Sequence, residues 1–438
     1  MSKKKAFLLM SSLALGILAA CGNNTNNNEE GGDGSGEVTI QFMTSSVEQE
    51  RLTVIEGMID RFEEENEGIT VETVPVEEGQ YNTNVVTLAQ AGELPAVIEV
   101  GQDFAKTMAN EQLIDVESTT QLVEDIGAQS YYEGALNLLS SEDGEGYLGV
   151  PLSGWVQGIW YSKEKFEEAG IEEPTNWEEL LSAAEQLTDT TNNQYGIALP
   201  TVEGPFSEQG FSQFALSNNA NILDADGNLN LDTPEMREAL EMYQELAEYT
   251  MPGSNDTTQV NDAFSNGSAA MALYSTYILP GIYENGDPND IGFIIPTEES
   301  EAVYGSVTAL TISGGLEEAE KDAAEAFIAF MAEPENMTEW VLMSPGGAQP
   351  VSDEVTNSED YQSNEVVQAF GELSTEIAVS FDAIQVFGLV EGQNFTHMGA
   401  ITGSNAIGTL INQITVGDAS IDEAITEAQS TIEDVMPE

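Results

Sequence analysis

VTIQFMTSSVEQERLTVIEGMIDRFEEENEGITVETVPVEEGQYNTNVVTLAQAGELPAVIEV, residues 38–100, switches repeatedly between two periodicities. VTIQFM (38–43) reads as a buried strand, and residues 48–65 then place Leu52, Ile55, Ile59 and Phe62 on one helical face. ITVETVPV (69–76) returns to strand-like alternation, a second helix is expected over roughly 81–92, and AVIEV (96–100) reads as a third short strand. Strands separated by helices call for parallel pairing with right-handed crossovers, so the expected class is α/β. Ligands of such sheets bind beyond the carboxyl ends of the strands, where the loops gather.

Outward from this stretch the chain is mostly helical. NWEELLSAAEQL (176–187) carries Trp177, Leu181, Ala184 and Leu187 on one side, and Thr175 with Glu178 is read as its capping box. Thr233-Pro234 opens another helix with Met236, Leu240, Tyr243 and Leu246 inward, proline being favourable at the first helical position. Residues 317–332 and 421–434 complete the amphipathic set; the first buries Ala324, Phe327, Ile328 and Met331. No repeat at periods of 20 to 50 residues is present.

At the amino end, the basic stretch 2–5 (SKKK) precedes an apolar run, 6–20 (AFLLMSSLALGILAA), of signal-peptide length. It ends in Leu18-Ala19-Ala20-Cys21-Gly22, the lipobox pattern, in which the cysteine becomes the lipid-modified first residue of the mature protein. Residues 1–20 are therefore expected to be a lipoprotein signal peptide and residues 21–37, polar and glycine-rich, a flexible tether. Each buried acyl methylene contributes about 0.8 kcal/mol, so several chains on Cys21 would hold the protein at the outer face of the cell membrane. Cys21 is the single cysteine of 438 residues, so the body must fold without disulfides.

The remaining body of roughly 400 residues suggests two domains, and a hydrophobic fraction of 41% is enough for sizeable cores. It is extremely acidic: without residues 1–20 there remain 7 basic residues against 78 acidic ones, about −71. At about 1 M salt the screening length falls to about 3 Å and the self-repulsion largely vanishes. A saline or alkaline habitat, a halophilic character and a monomer in solution are the expectations. The same charge excludes nucleic acid as a partner.

Several segments resemble the family-1 extracellular solute-binding proteins, the group that includes the maltose- and maltodextrin-binding proteins. The most specific is YLGVPLSGWVQGIWYSKEKFEEAGIEEPTNWEEL (147–180), where the family shows a G-x-P, Y-N-K-D-x-F-x-x-A-G and P-x-T-W-x-E-L run; here Ser162 and Glu164 stand where Asn and Asp are usual. Asn266-Gly267-Ser268-Ala269-Ala270-Met271, the strand-and-helix stretch from Gly305 to Ala332, and the closing I-D-E-A-I-x-E-A-Q helix agree as well. The resemblance spans essentially 38–436. It implies a two-lobed, type II periplasmic-binding-protein-like fold with the ligand cleft between lobes and three interlobe crossings, near Gly149-Val150, Ile295-Pro296 and Pro334. Lobe 1 would comprise 38–149 plus 296–334, and lobe 2 would comprise 150–295 plus 335–438. It further implies an extracytoplasmic substrate-binding protein of an ABC importer, not an enzyme, that closes on its ligand by hinge bending and delivers it to permease subunits.

A sugar site needs flat aromatic faces and hydrogen-bonding carboxylates or amides. Ser45 and Ser46, with Thr44, follow the first strand and should face the cleft, the competing reading being a polar turn. Asp103 stands where maltose-binding-type proteins carry a hydroxyl-binding aspartate, or is a helix N-cap. Trp155 lies in the first crossing, as a stacking or a core residue. Glu203 and Phe206 are similar to a carboxylate and an aromatic in a Q-E-P-Y-F stretch of maltodextrin binders. Tyr277 occupies the place of a stacking tryptophan, Tyr274 is a second candidate, and Gly347, beside Gly346, permits a loop close to ligand.

Other chemistry finds little support. Asp224-Ala225-Asp226-Gly227-Asn228 lacks the spacing and terminal Glu of a calcium loop and reads as a turn. His397 is the single histidine, which excludes a histidine metal cluster and leaves Ser-His-Asp catalysis unsupported. No catalytic residue, metal or cofactor is expected. Two alternatives stay open. One is a glycerol-3-phosphate or glycerophosphodiester ligand, which normally calls for Arg or Lys. The body offers only Arg51, Arg61, Lys106, Lys163, Lys165, Arg237 and Lys321, mostly on expected helix exteriors, and this favours a neutral carbohydrate. The other is a secreted glycoside hydrolase, for which 78 acids provide pairs but no motif.

Overall fold

The strand–helix alternation of 38–100 forms as the pattern requires. In the computed structural model, which describes residues 37–295 and 297–436, β1 (Val38–Thr44) pairs in parallel with β2 (Ile69–Pro75) on one side and β3 (Val97–Gly101) on the other. Helices Gln49–Glu65 and Glu78–Ala91 make the crossovers. The expected signal segment 1–20, Cys21 and nearly all of the tether lie outside the described residues, as does Pro296 of the second expected crossing.

The architecture then turns on one long strand. β4 (Val150–Ser162) is buried along almost its whole length. Its first half, Val150 to Val156, runs antiparallel to β8 (Gly305–Ile312), which in turn pairs with β3. Its second half, Gln157 to Ser162, is flanked by β6 (Ala269–Ser275) and β7 (Ile291–Ile294), both antiparallel, and β6 carries β5 (Tyr195–Ala198) in parallel. The order is β2-β1-β3-β8-β4-β6-β5, with β7 on β4. One strand thus belongs to two hydrogen-bonded groups, one built on 38–101 and 305–312, the other on 195–294.

Two large apolar clusters fill the interior, and the first spans both groups, taking in Trp160 of β4 and Ala269 and Ala272 of β6. In the first, Phe327 of the helix Glu318–Met331 meets Phe42 of β1 and Phe62 of the helix Gln49–Glu65 edge-on, with centroids 5.4 and 5.2 Å away. The second gathers Trp177, Phe211, Phe214, Tyr243 and the apolar faces of the helices Ala406–Thr415 and Ile421–Glu433. The segment after Pro334 bridges both groups. Glu339 accepts from Arg61 at 3.0 Å and Trp340 Nε1 donates to Ser153 Oγ at 3.2 Å, while Gly347 O accepts from Thr276 Oγ1 at 2.6 Å.

Helix positions mostly match expectation. Met236, Leu240, Tyr243 and Leu246 are buried, as are Ala324, Phe327, Ile328 and Met331. The helix Trp177–Gln186 is a correction. Asn176, not Thr175, is its cap, its side chain accepting from Glu179 N at 3.0 Å, and Thr175 N and Oγ1 both donate to the Glu179 carboxylate at 2.8 Å. Its inward face is Trp177, Leu180, Ala183 and Ala184, and Leu181 and Leu187 are half-buried. Asp224 closes the turn expected there, its Oδ1 accepting from the backbone of Asp226 and Asn228 at 2.9 Å each.

Phe327 joins three elements of the first cluster, so Phe327→Ala is expected to cost about 3–5 kcal/mol through lost burial and the cavity left behind. Urea unfolding of the variant beside the parent measures it; a loss below about 1 kcal/mol would show that the cluster is not built around this ring.

Candidate ligand cleft

The carboxyl ends of β1, β3 and β6 open onto one cavity of about 830 Å³, within the range of small-ligand sites. Ser45 and Ser46 enter it from the end of β1 and Asp103 from the first turn of the helix Gln102–Asn110, whose cap is Gly101, so Asp103 is not itself an N-cap. Trp155 enters from the middle of β4, Phe206 from the start of the helix Pro205–Ser217, and Tyr274 and Tyr277 from β6 and the turn after it.

These side chains form two aromatic pairs and one exposed face. Trp155 lies against Tyr304, with centroids 5.8 Å apart, and Phe206 meets the edge of Tyr274 at 5.7 Å. Tyr277 is 45% exposed and offers a free face to the cavity. Gly347 packs beneath it: a Cβ there would fall 2.7 Å from Tyr277 Cδ1, so only glycine lets that ring settle. Gly347 thus acts behind the wall, while its neighbours Ser344 and Ala348 line it. Glu203 is not brought to the cavity. It is exposed and accepts from Thr409 Oγ1 at 3.3 Å.

The cavity also contains groups that pattern reasoning passed over. Glu99, in the middle of β3, is buried at its floor. Its Oε2 accepts from Thr44 Oγ1 at 2.5 Å and Ser45 N at 3.0 Å, and its Oε1 from Ser45 Oγ at 3.1 Å. Burial holds this carboxyl above the usual carboxylate range, and those hydrogen bonds and the nearby Arg51 guanidinium offset only part of that rise. Gln157 and Gln209 add amides, Gln157 Nε2 donating to Gln209 O at 3.0 Å, and Glu48, Glu78, Tyr81 and Trp340 complete much of the wall. A carboxylate inside the apolar run AVIEV was the available signal for Glu99, because buried strands seldom carry an unpaired charge.

The cations require a correction. Arg51, expected on a helix exterior, lines the cleft and stands 4.0 Å from Glu48, the single basic side chain there among the described residues. Lys106, also expected outside, is 1% exposed; Asp103 lies 4.0 Å from its Nζ, which has no hydrogen-bond partner among the described residues. Burial lowers its pKa. The helix Gln102–Asn110 is covered on that side by neighbours distant in sequence, which periodicity does not reveal.

Glu208, two residues after Phe206, is 7% exposed and accepts from Thr402 Oγ1 at 2.7 Å. Burial raises its pKa to about 7, opposed by the Thr402 hydrogen bond and reinforced by the charge of Asp103. Because the folded value lies above the unfolded one, this group binds more protons when folded, and its contribution to stability is lost as pH rises from about 4.5 to about 7. That amounts to about 3 kcal/mol. Glu208→Gln should therefore gain on the parent by about that amount between pH 4.5 and 7.5 in urea unfolding; a constant difference between the two proteins would show that Glu208 ionises normally.

Comparison with known proteins adds independent findings. The sequence profile described as "Bacterial extracellular solute-binding protein" matches residues 45–338. The Escherichia coli (strain K12) protein named "Putative ABC transporter periplasmic-binding protein YcjN" is 46% identical over 436 residues, covering 100% of this chain and 99% of its own. The sn-glycerol-3-phosphate-binding periplasmic protein UgpB of the same strain is 25% identical over 354 residues, 75% of this chain and 76% of its own. Among solved structures, the cyclic alpha-maltosyl-1,6-maltose binding protein from Arthrobacter globiformis superimposes with a TM-score of 0.75 at 21% identity, covering 91% of this chain and 99% of that one. The likeness shows the fold, an α/β, two-lobed architecture.

Proposed function

The chain belongs to the bacterial extracellular solute-binding protein family, and we propose that it is the lipid-anchored binding component of an ABC importer for a neutral carbohydrate. The observation that carries the ligand class is the lining of the cleft: the exposed face of Tyr277 and the pairs Trp155–Tyr304 and Phe206–Tyr274 stand among serines, glutamines and carboxylates. Aromatic faces cover the C–H side of a sugar ring, and the polar groups satisfy its hydroxyls. Ser45, Ser46, Asp103, Trp155, Phe206, Tyr274 and Tyr277 are the proposed contacts, with Gly347 supporting Tyr277. Glu203 is not among them.

The lobes are proposed as 38–149 with 296–334 and 150–295 with 335–438; β4 changes partners between Val156 and Gln157, beyond the proposed crossing at Gly149-Val150. Hinge closure over the cavity would then give permease subunits a liganded shape to recognise. Cleavage after residue 20 and acylation of Cys21 would fix the protein outside the membrane through the 21–37 tether. Among the described residues no helix is long and apolar enough to cross a membrane.

A second reading has one observation behind it: Arg51 in the cleft fits a phosphate, and UgpB is a relative. Four carboxylates, Glu48, Glu78, Glu99 and Asp103, share that cleft with the one guanidinium, and their summed field opposes an anion. A glycoside hydrolase is not the reading for this chain, whose family serves transport.

A thermal-shift screen of mono- and oligosaccharides against glycerophosphates in molar salt tests the ligand class: sugars are expected to raise the melting temperature, and stabilisation by a glycerophosphate alone would overturn the assignment. Tyr277→Ala should weaken the best sugar about tenfold without unfolding the protein, and an unchanged dissociation constant in calorimetry would remove Tyr277 from the contacts. Cys21→Ser should shift the protein from the membrane to the soluble fraction; retention at the membrane would refute the lipid anchor.

A further inference from the structure

Glu99 is a carboxylate buried where a strand would ordinarily place an aliphatic side chain, and all its partners come from the turn that ends β1. The directions of these hydrogen bonds are constrained. Ser45 N can only donate, and it reaches Oε2. Ser46 N donates to Thr44 Oγ1 at 3.1 Å, so that oxygen is already an acceptor and its own proton goes to Glu99 Oε2. Ser45 Oγ meets Oε1, and an ionised carboxylate can receive but not supply the proton between them. Around Glu99 stand Arg51, whose charge joins the three hydrogen bonds in favouring the ionised form against the upward push of burial, and the phenols of Tyr81 and Tyr277.

We propose that Glu99 is a positioning residue that sets the ligand selectivity of the cleft. By drawing the hydroxyl proton of Ser45 inward, as it draws that of the fully buried Thr44, it leaves a lone pair of Ser45 Oγ facing the cavity. At Ser45 the floor therefore accepts a hydrogen bond and does not give one. A ligand seated there must bring O–H or N–H donors, as a polyhydroxylated neutral molecule does. A phosphate or carboxylate group, which brings acceptors and negative charge, meets lone pairs and a carboxylate. This rests on the reading of the cleft as a carbohydrate site and adds to it the element that decides between sugar and glycerophosphate.

The substitution Glu99→Gln separates this role from simple support of the turn. The amide oxygen still accepts from Thr44 Oγ1 and Ser45 N, while the amide N–H2 replaces Oε1 and donates to Ser45 Oγ, which must turn its proton into the cavity. All three contacts survive and one polarity reverses.

The experiment measures calorimetric affinities of maltose, D-mannitol and sn-glycerol 3-phosphate for the full-length body in molar salt, for the parent, Glu99→Gln and Ser45→Ala. It adds infrared difference spectra of 13C-glutamate-labelled parent minus Glu99→Gln at neutral pH, which report Glu99 without any ligand and remain readable if the variant is less stable. Expected are preference of the parent for a neutral probe, a narrowing of that preference about tenfold or more in Glu99→Gln, a partial narrowing in Ser45→Ala, and an ionised carboxylate band. A preference unchanged in Glu99→Gln, a parent that prefers sn-glycerol 3-phosphate, or a protonated carboxyl band would each overturn the proposal. If no probe binds the parent, the carbohydrate reading itself falls and the selectivity claim falls with it; if probes bind but the preference is unmoved, only the claim about Glu99 falls.

Discussion

β4 cannot move as two independent strands, and most of the molecule is arranged around that constraint. Its backbone from Val150 to Val156 is committed to β8, and from Gln157 to Ser162 to β6 and β7. Both groups of elements hang on one continuous ladder of hydrogen bonds. Leaving any of those buried donors and acceptors unpaired is costly, so the ladder keeps the two groups joined through β4. Ser153, Trp155 and Gln157 alternate along its middle and so share one face, which lines the cavity. The cleft thus opens beside the stretch where β4 changes partners.

Charge works on two scales in this chain. Over the whole sequence, 78 acidic residues stand against 10 basic ones, a repulsive field of the kind that salt screens. Inside the cleft the same imbalance is local, with four carboxylates around one guanidinium, and on it rests the proposed preference for ligands without negative charge. Glu99 and Glu208 are the acids that burial singles out from the rest. Each is held by hydroxyls instead of by a cation, Glu99 by Thr44 and Ser45 and Glu208 by Thr402. In a chain so short of lysine and arginine, hydroxyl and backbone donors do the work that ion pairs do elsewhere.

Much of the scaffold was legible because it rests on local patterns. The strands of 38–101, their parallel pairing and the helices over 234–247 and 318–331 all follow from periodicity and caps. The slip at Trp177–Gln186 shows the limit: Thr175 and Asn176 can both cap, and two stripes of apolar residues, through Leu180 or through Leu181, both include Trp177, whose ring packs 6.0 Å from Phe214. In the cleft, the aromatics and Asp103 were legible through resemblance. Glu203 was not a cleft residue, because the chain between it and Phe206 turns away before the helix begins.

The sequence by itself determined an α/β body with parallel strands at its start, a dearth of cations and a set of aromatics at strand ends. These are properties of composition and of short-range spacing, which backbone geometry converts directly into elements. Only the tertiary structure decided that Arg51 faces the cavity, that Lys106 is enclosed, and that Glu99 meets Thr44 and Ser45 from more than fifty residues away. A polar side chain becomes a ligand contact, a support or a buried anomaly according to which strand ends beside its own. Strand neighbours are set by the packing of the whole chain, and no window of sequence contains them.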